Sequence, residues 1–178
     1  FLAAGFIRPH VPLVVPKRFF ELYDSGEIPL PPSVPNDRAD MPEAAYDSWA
    51  ANFNISDEDT REAIKAYYAC TSFIDEQVGR LVQALKEKGL FDNTIIVFVS
   101  DHGYQLGGHG LWFKNYLFHE SVISPLMVKI PNISPKKINQ VVELLDVYPS
   151  LLEMAGLPAN QKQLEGESFV PLLQGDAK

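Results

Sequence analysis

Six consecutive residues, Thr94 to Val99 (TIIVFV), leave this chain little freedom in how it folds. They are β-branched or aromatic and, beyond Thr94, offer no polar position, so the run predicts a strand covered on both faces. What precedes it is helical. Ser56 followed by Asp59 resembles a capping box, and acidic residues fill the first turn. Ile64, Tyr67, Tyr68, Ile74, Val78, Leu81, Val82 and Leu85 then recur at helical spacing as far as Gly89. A helix of about eight turns fits, at roughly 3.6 residues per turn. Asp92-Asn93 supplies the turn into the strand. A long helix feeding a doubly buried strand is the unit of an α/β fold with a mostly parallel sheet flanked by helices, in which functional groups gather beyond the carboxyl ends of the strands. Ser100-Asp101-His102-Gly103 occupies that place.

The rest of the chain is less regular. Phe1 to Ile7 (FLAAGFI) is apolar and strand-compatible with no polar lead-in, and reads as a chain entered in the middle of a strand, a fragment of a larger sheet. Residues 8–56 form a loop-rich excursion holding more than half of the 14 prolines, broken by a short helical piece at Lys17 to Tyr23. Such an excursion either lines or covers a site or is a plain surface insertion. Pro125 to Ile130 reads as a further strand and Val141 to Leu145 as extended. Asp146 can cap a short helix with Pro149 in its first turn, ending before Gly156 and Pro158.

Composition narrows the function classes. With 178 residues, 46% of them apolar and 21% charged, the chain can bury a core. A net charge of −8 with 15 scattered basic residues argues against a general nucleic-acid binder. No apolar run is long enough to span a membrane. The single cysteine, Cys70, can form no internal disulfide.

Two stretches carry candidate chemistry. Asp101 and His102 directly follow a predicted strand, and Gly103 lets the backbone turn so that both side chains can share one ion. Two donors are too few for a closed metal site, and the alternative is an Asp capping a turn beside a hydrogen-bonded His. Then Gly107-Gly108-His109-Gly110-Leu111-Trp112-Phe113-Lys114 combines glycines that admit a ligand close to the backbone with a lysine suited to an oxyanion. The alternative for Lys114 alone is a solvated surface lysine.

SDHGYQLGGHGLWFK, the preceding AYYACTSFIDEQVGRLVQAL, the following SPLMVKIP and the later VELLDVYPSLLEMAGLP together resemble the type I sulfatases of the alkaline phosphatase superfamily. The opening GFIRPHVPLVVPKRFFELY looks most like the iduronate-2-sulfatase group. The resemblance implies an alkaline phosphatase-like fold, incomplete here, and a metal-dependent hydrolase of sulfate esters, of a sulfated carbohydrate such as a uronic acid. It places Asp101 and His102 as ligands of a divalent cation, calcium by the family's habit, Lys114 on the sulfate group and His10 near the leaving oxygen. His109 is expected to be structural or to support the site from behind. A periplasmic, secreted or lysosomal location is also implied.

The chain departs from the family in one respect. Sulfatases make their nucleophile, a formylglycine, from a Cys or Ser in a C/S-x-P/A-x-R motif. Cys70-Thr71-Ser72-Phe73-Ile74 lacks both the Pro/Ala and the Arg. The chain is therefore expected to be the C-terminal portion of a sulfatase catalytic domain whose formylglycine lies in a missing N-terminal part, inactive alone and completed by that part or by self-association. A non-catalytic binding module and a phosphate-ester or phosphonate hydrolase of the same superfamily are the competing readings.

Overall fold

The computed structural model describes residues 1–46 and 55–174. Its elements in chain order are α1 (Lys17–Phe20), α2 (Asp57–Glu87), β1 (Ile96–Val99), β2 (Gln105–Leu106), β3 (Trp112–Phe113), α3 (His119–Val122), β4 (Leu126–Lys129), α4 (Val147–Met154) and α5 (Val170–Gln174), with short 3₁₀ turns between them. They divide into two units. One comprises Phe1–Asp92 with His102–Pro125, the other Asn93–Asp101 with Leu126–Lys178.

The first unit is organised by α2, whose ends match the sequence signals. Ser56 Oγ accepts from Asp59 N at 3.1 Å, and Asp57, Glu58 and Asp59 face the positive end of the helix dipole. The helix stops where Gly89 enters left-handed backbone at φ 64 and Leu90 N reaches back to Leu85 O at 2.9 Å. Its buried positions are Thr60, Ile64, Ala69 and Cys70, spread over more than one face because the helix is packed against from several sides. Ile64 packs with Ile28 and Trp112, joined by Tyr23, Ala63, Leu106 and Phe113. The start of the excursion runs along the same helix. Phe19 meets Phe73 edge-on at 5.4 Å, Tyr23 Oη and Ser72 Oγ are 2.6 Å apart, and Arg18 pairs with Glu76 at 2.6 Å.

In the second unit β1 pairs antiparallel with β4, Ile96 opposite Lys129 and Val99 opposite Leu126. The α/β class stands, but the parallel pairing expected for Thr94–Val99 is not found, since both ladders among the described residues are antiparallel. Nor is the strand covered on both faces, because Val99 is 42% exposed. Phe1–Ile7 form no strand, and all are exposed. Strand formation needs a neighbouring edge to pair with, which local propensity does not provide.

The Asp146 carboxylate does not cap α4. It turns back to accept from Glu143 N at 2.8 Å and Glu167 N at 2.9 Å, tying the tail to the turn before the helix. Gly166 permits this, because a Cβ there would sit 2.9 Å from Asp146 N and closer still to the Leu145 carbonyl. The fully buried Ser150 completes the tie, donating to Asp146 O at 2.6 Å and accepting from Phe169 N at 2.9 Å.

Candidate active site

A short hairpin in the first unit organises the predicted chemistry. β2 and β3 pair antiparallel with Gln105 opposite Phe113 and Leu106 opposite Trp112. That register closes the loop 107–111 at one end and leaves the residues just before Gln105 and just after Phe113 at the other. His102 to Tyr104 and Lys114 are those residues. The glycines serve the loop, with Gly107 at φ 95 and Gly110 at φ 68, and Gly107 N donates to Leu111 O at 2.9 Å.

His102 enters the hairpin under tight constraint. Gly103 N donates to Ser121 O at 2.8 Å, and a Cβ on Gly103 would lie 2.6 Å from Ile123 O and nearer still to Glu120 O. Close approach of backbone to backbone is therefore what requires glycine there. Gly103→Ala is expected to cost about 1–3 kcal/mol, as overpacking does; a melting curve unchanged from that of the unsubstituted protein would contradict it.

His102 Nδ1 lies 2.6 Å from Gly103 O. A carbonyl only accepts, so Nδ1 carries a proton, and a neutral ring in this orientation has its lone pair on Nε2. This is how histidines that bind metals are generally oriented. His10 has the same arrangement, with Nδ1 donating to Val11 O at 2.7 Å. Its turn is pinned by Arg8, whose Nε donates to Val14 O at 3.0 Å and whose Nη1 donates to His10 O at 3.2 Å. His10 is exposed and Lys114 half-buried. Asp101 is exposed at the carboxyl end of β1, 3.4 Å from Ser100 Oγ.

Beside the open end of the hairpin lies a cavity of about 190 Å³, lined by Val11, Leu13, Ile55, Tyr104, Trp112 and Phe113 among others. The chain neighbours of His10 and Lys114 thus line one cavity, together with Tyr104 two residues after His102. Both ends of the excursion contribute to it, through Val11 and Leu13 at one end and Ile55 at the other.

Tyr104 was not singled out from the sequence, although an aromatic directly after Asp-His-Gly was a signal. Its ring stands 5.0 Å from Tyr67 and 6.0 Å, edge-on, from Phe113. Burial, and then the neighbouring Tyr67, push its hydroxyl up to about 12. The unfolded chain begins to lose this proton near pH ~10 while the folded chain keeps it. Stability is therefore expected to fall as pH rises from about 10 toward 12, less steeply in Tyr104→Phe, which a series of melts across that range would read. Cys70 is inert by comparison, since it is fully buried and burial outweighs the nearby Arg8 in raising its thiol.

A family model described as Sulfatase matches residues 1–157. The chain belongs to the sulfatase family. This sulfatase chain is 40% identical to a sulfatase of Formosa agariphila, covering 98% of this chain and 36% of that protein. It is 33% identical to human iduronate 2-sulfatase, covering 98% of this chain and 35% of that one. Among solved structures, a phosphonate monoester hydrolase from Silicibacter pomeroyi superposes with a TM-score of 0.85 at 30% identity, over 97% of this chain and 37% of that one. The sulfatase chain spans about a third of the length of these relatives. Among its described residues no helix is long and apolar enough to cross a membrane.

Proposed function

We propose that this chain is the part of a sulfate-ester hydrolase that grips the sulfate group and the leaving oxygen. One observation carries the reading: the β2–β3 register sets His102 and Lys114 at the same end of a hairpin, beside a cavity that the chain neighbours of His10 also line. Lys114 places its ammonium on the sulfuryl oxygens, where charge accumulates as the ester bond breaks. His10, its Nδ1 committed to Val11 O, presents Nε2 to the leaving oxygen and donates a proton when the ring is charged.

Asp101 and His102, consecutive in the chain, are the proposed ligands of a divalent cation, calcium on the family resemblance. A carboxylate oxygen and the Nε2 lone pair of a ring held through Nδ1 suit such an ion. Among the described residues no third His, Cys, Asp or Glu is grouped with them, so the site needs further ligands to fill its shell. When bound, the cation supplies electrostatic stabilisation of the transferring group. The nucleophile is proposed to be a formylglycine carried elsewhere in the parent protein, Cys70 being buried within α2 and outside the motif. The likeness to iduronate 2-sulfatase supports a sulfated carbohydrate as substrate, and a periplasmic, secreted or lysosomal location is proposed on the family resemblance.

The likeness to a phosphonate monoester hydrolase favours a second reading, in which the same groups act on a phosphonate ester. Assay of the full-length parent separates the two. Sulfate release from an aryl sulfate that exceeds phosphonate ester cleavage in kcat/KM supports the first reading, and the reverse order rejects it.

A further inference from the structure

We propose that Asp37 and His109 form a latch that holds the tip of the β2–β3 hairpin and thereby positions Lys114. Both are then positioning residues for the hydrolysis proposed above, and the inference rests on that reading for the role of Lys114. His109 stands at φ 57, left-handed backbone that suits glycine and, less well, asparagine. Its neighbours Gly107, Gly108 and Gly110 are all glycine, so the loop keeps a histidine where one more glycine would be easier for the backbone.

Contacts of His109 account for that. Its Nδ1–H donates to Asp37 Oδ2 at 2.8 Å, and its ring stacks on Phe118 at 4.7 Å with 25° between planes. The next residue of the excursion, Arg38, donates from Nη2 to the His109 carbonyl at 3.3 Å and lies over the Tyr46 ring at 5.0 Å. Two consecutive residues of the excursion therefore grip the side chain and the backbone of one loop residue. A second contact lies close by, where a Cβ on Gly107 would come within 2.8 Å of Pro31 Cγ.

The tip is coupled to Lys114 by a short, closed path. Gly110 N donates to Gly107 O at 3.0 Å and Leu111 N to Gly108 O at 2.9 Å, and Leu111 and Trp112 are buried before the chain reaches Lys114. With only two residues in each strand, the hairpin has little length over which to absorb a displacement at its tip. A shift of an ångström at a positioned group lowers rate steeply.

The test uses the full-length parent, with sulfate release from an aryl sulfate and hydrogen exchange as readouts. His109→Ala is expected to lower kcat about tenfold with KM nearly unchanged, and Asp37→Ala to do the same. The double alanine variant should fall no further than either single one, because the two act as a unit. His109→Asn, which tolerates the left-handed backbone and keeps an N–H donor, should stay within about threefold of the parent. Exchange at the Gly110 and Leu111 amides should quicken about tenfold in His109→Ala and not in His109→Asn. Unchanged kcat and exchange in His109→Ala, an equal fall in His109→Asn, or additive loss in the double variant would each overturn the latch. If the parent cleaves no sulfate ester, the proposed chemistry fails. The latch is then decided separately, by the exchange result and by turnover of a phosphonate monoester.

Discussion

Lys114→Ala in the full-length enzyme is expected to lower kcat by about 10²–10³-fold, the usual consequence of removing one preorganised donor from developing negative charge. The loss should appear in kcat and kcat/KM alike, because the proposed role matches the ammonium to charge that accumulates in the transition state. Lys114→Arg should recover only part of it, since a planar guanidinium presents its charge in a different shape. Steady-state kinetics on an aryl sulfate decide the matter, and a Lys114→Ala enzyme with kcat within a few-fold of the parent would remove this lysine from the chemistry.

Asp101→Ala and His102→Ala should each cost about 10³-fold or more in turnover, as should exhaustive chelation, because a divalent cation contributes several kcal/mol of charge stabilisation. Chelation should be reversible and the substitutions should not. Calorimetric titration with calcium gives a readout independent of turnover, with the parent binding and Asp101→Ala binding far more weakly. Equal calcium affinity in the two proteins would mean that the carboxylate at the end of β1 is not a ligand.

Local signals in the sequence predicted local structure well. The cap at Ser56, the acidic first turn and the stop at Gly89 are all present in α2, because each depends on residues within one turn of it. Pairing was harder to read. An unbroken apolar run such as Thr94–Val99 specifies a strand but not its partner, and the partner is Leu126–Lys129, running the opposite way. Phe1–Ile7 has the same local character and finds no partner edge among the described residues.

For the candidate site, residue identity was legible and geometry was not. Asp101, His102 and Lys114 stood out by residue type and position, yet nothing in their spacing announced a hairpin with two-residue strands. A five-residue loop containing glycines between apolar flanks was the signal for it. The bond between Asp37 and His109 spans 72 positions in the chain, beyond any periodicity or motif rule. Buried polar groups were equally out of reach. Gln105 is fully buried, and its Oε1 has no partner among the described residues.

Phe113 has a consequence for anyone engineering such an enzyme. It holds a bulky aromatic at φ 74, a conformation that costs on the order of 1–3 kcal/mol and that a backbone-based stabilisation protocol would flag for replacement by glycine. The ring nevertheless forms part of the cavity wall and meets Tyr104 edge-on, and the residue pairs with Gln105 directly before Lys114. Glycine would relax the main chain and delete that wall in the same step. Because the ring also packs on Ile28, Ile64 and Trp112, its loss offsets the strain relieved, and backbone geometry alone is a poor guide to which residue belongs at position 113.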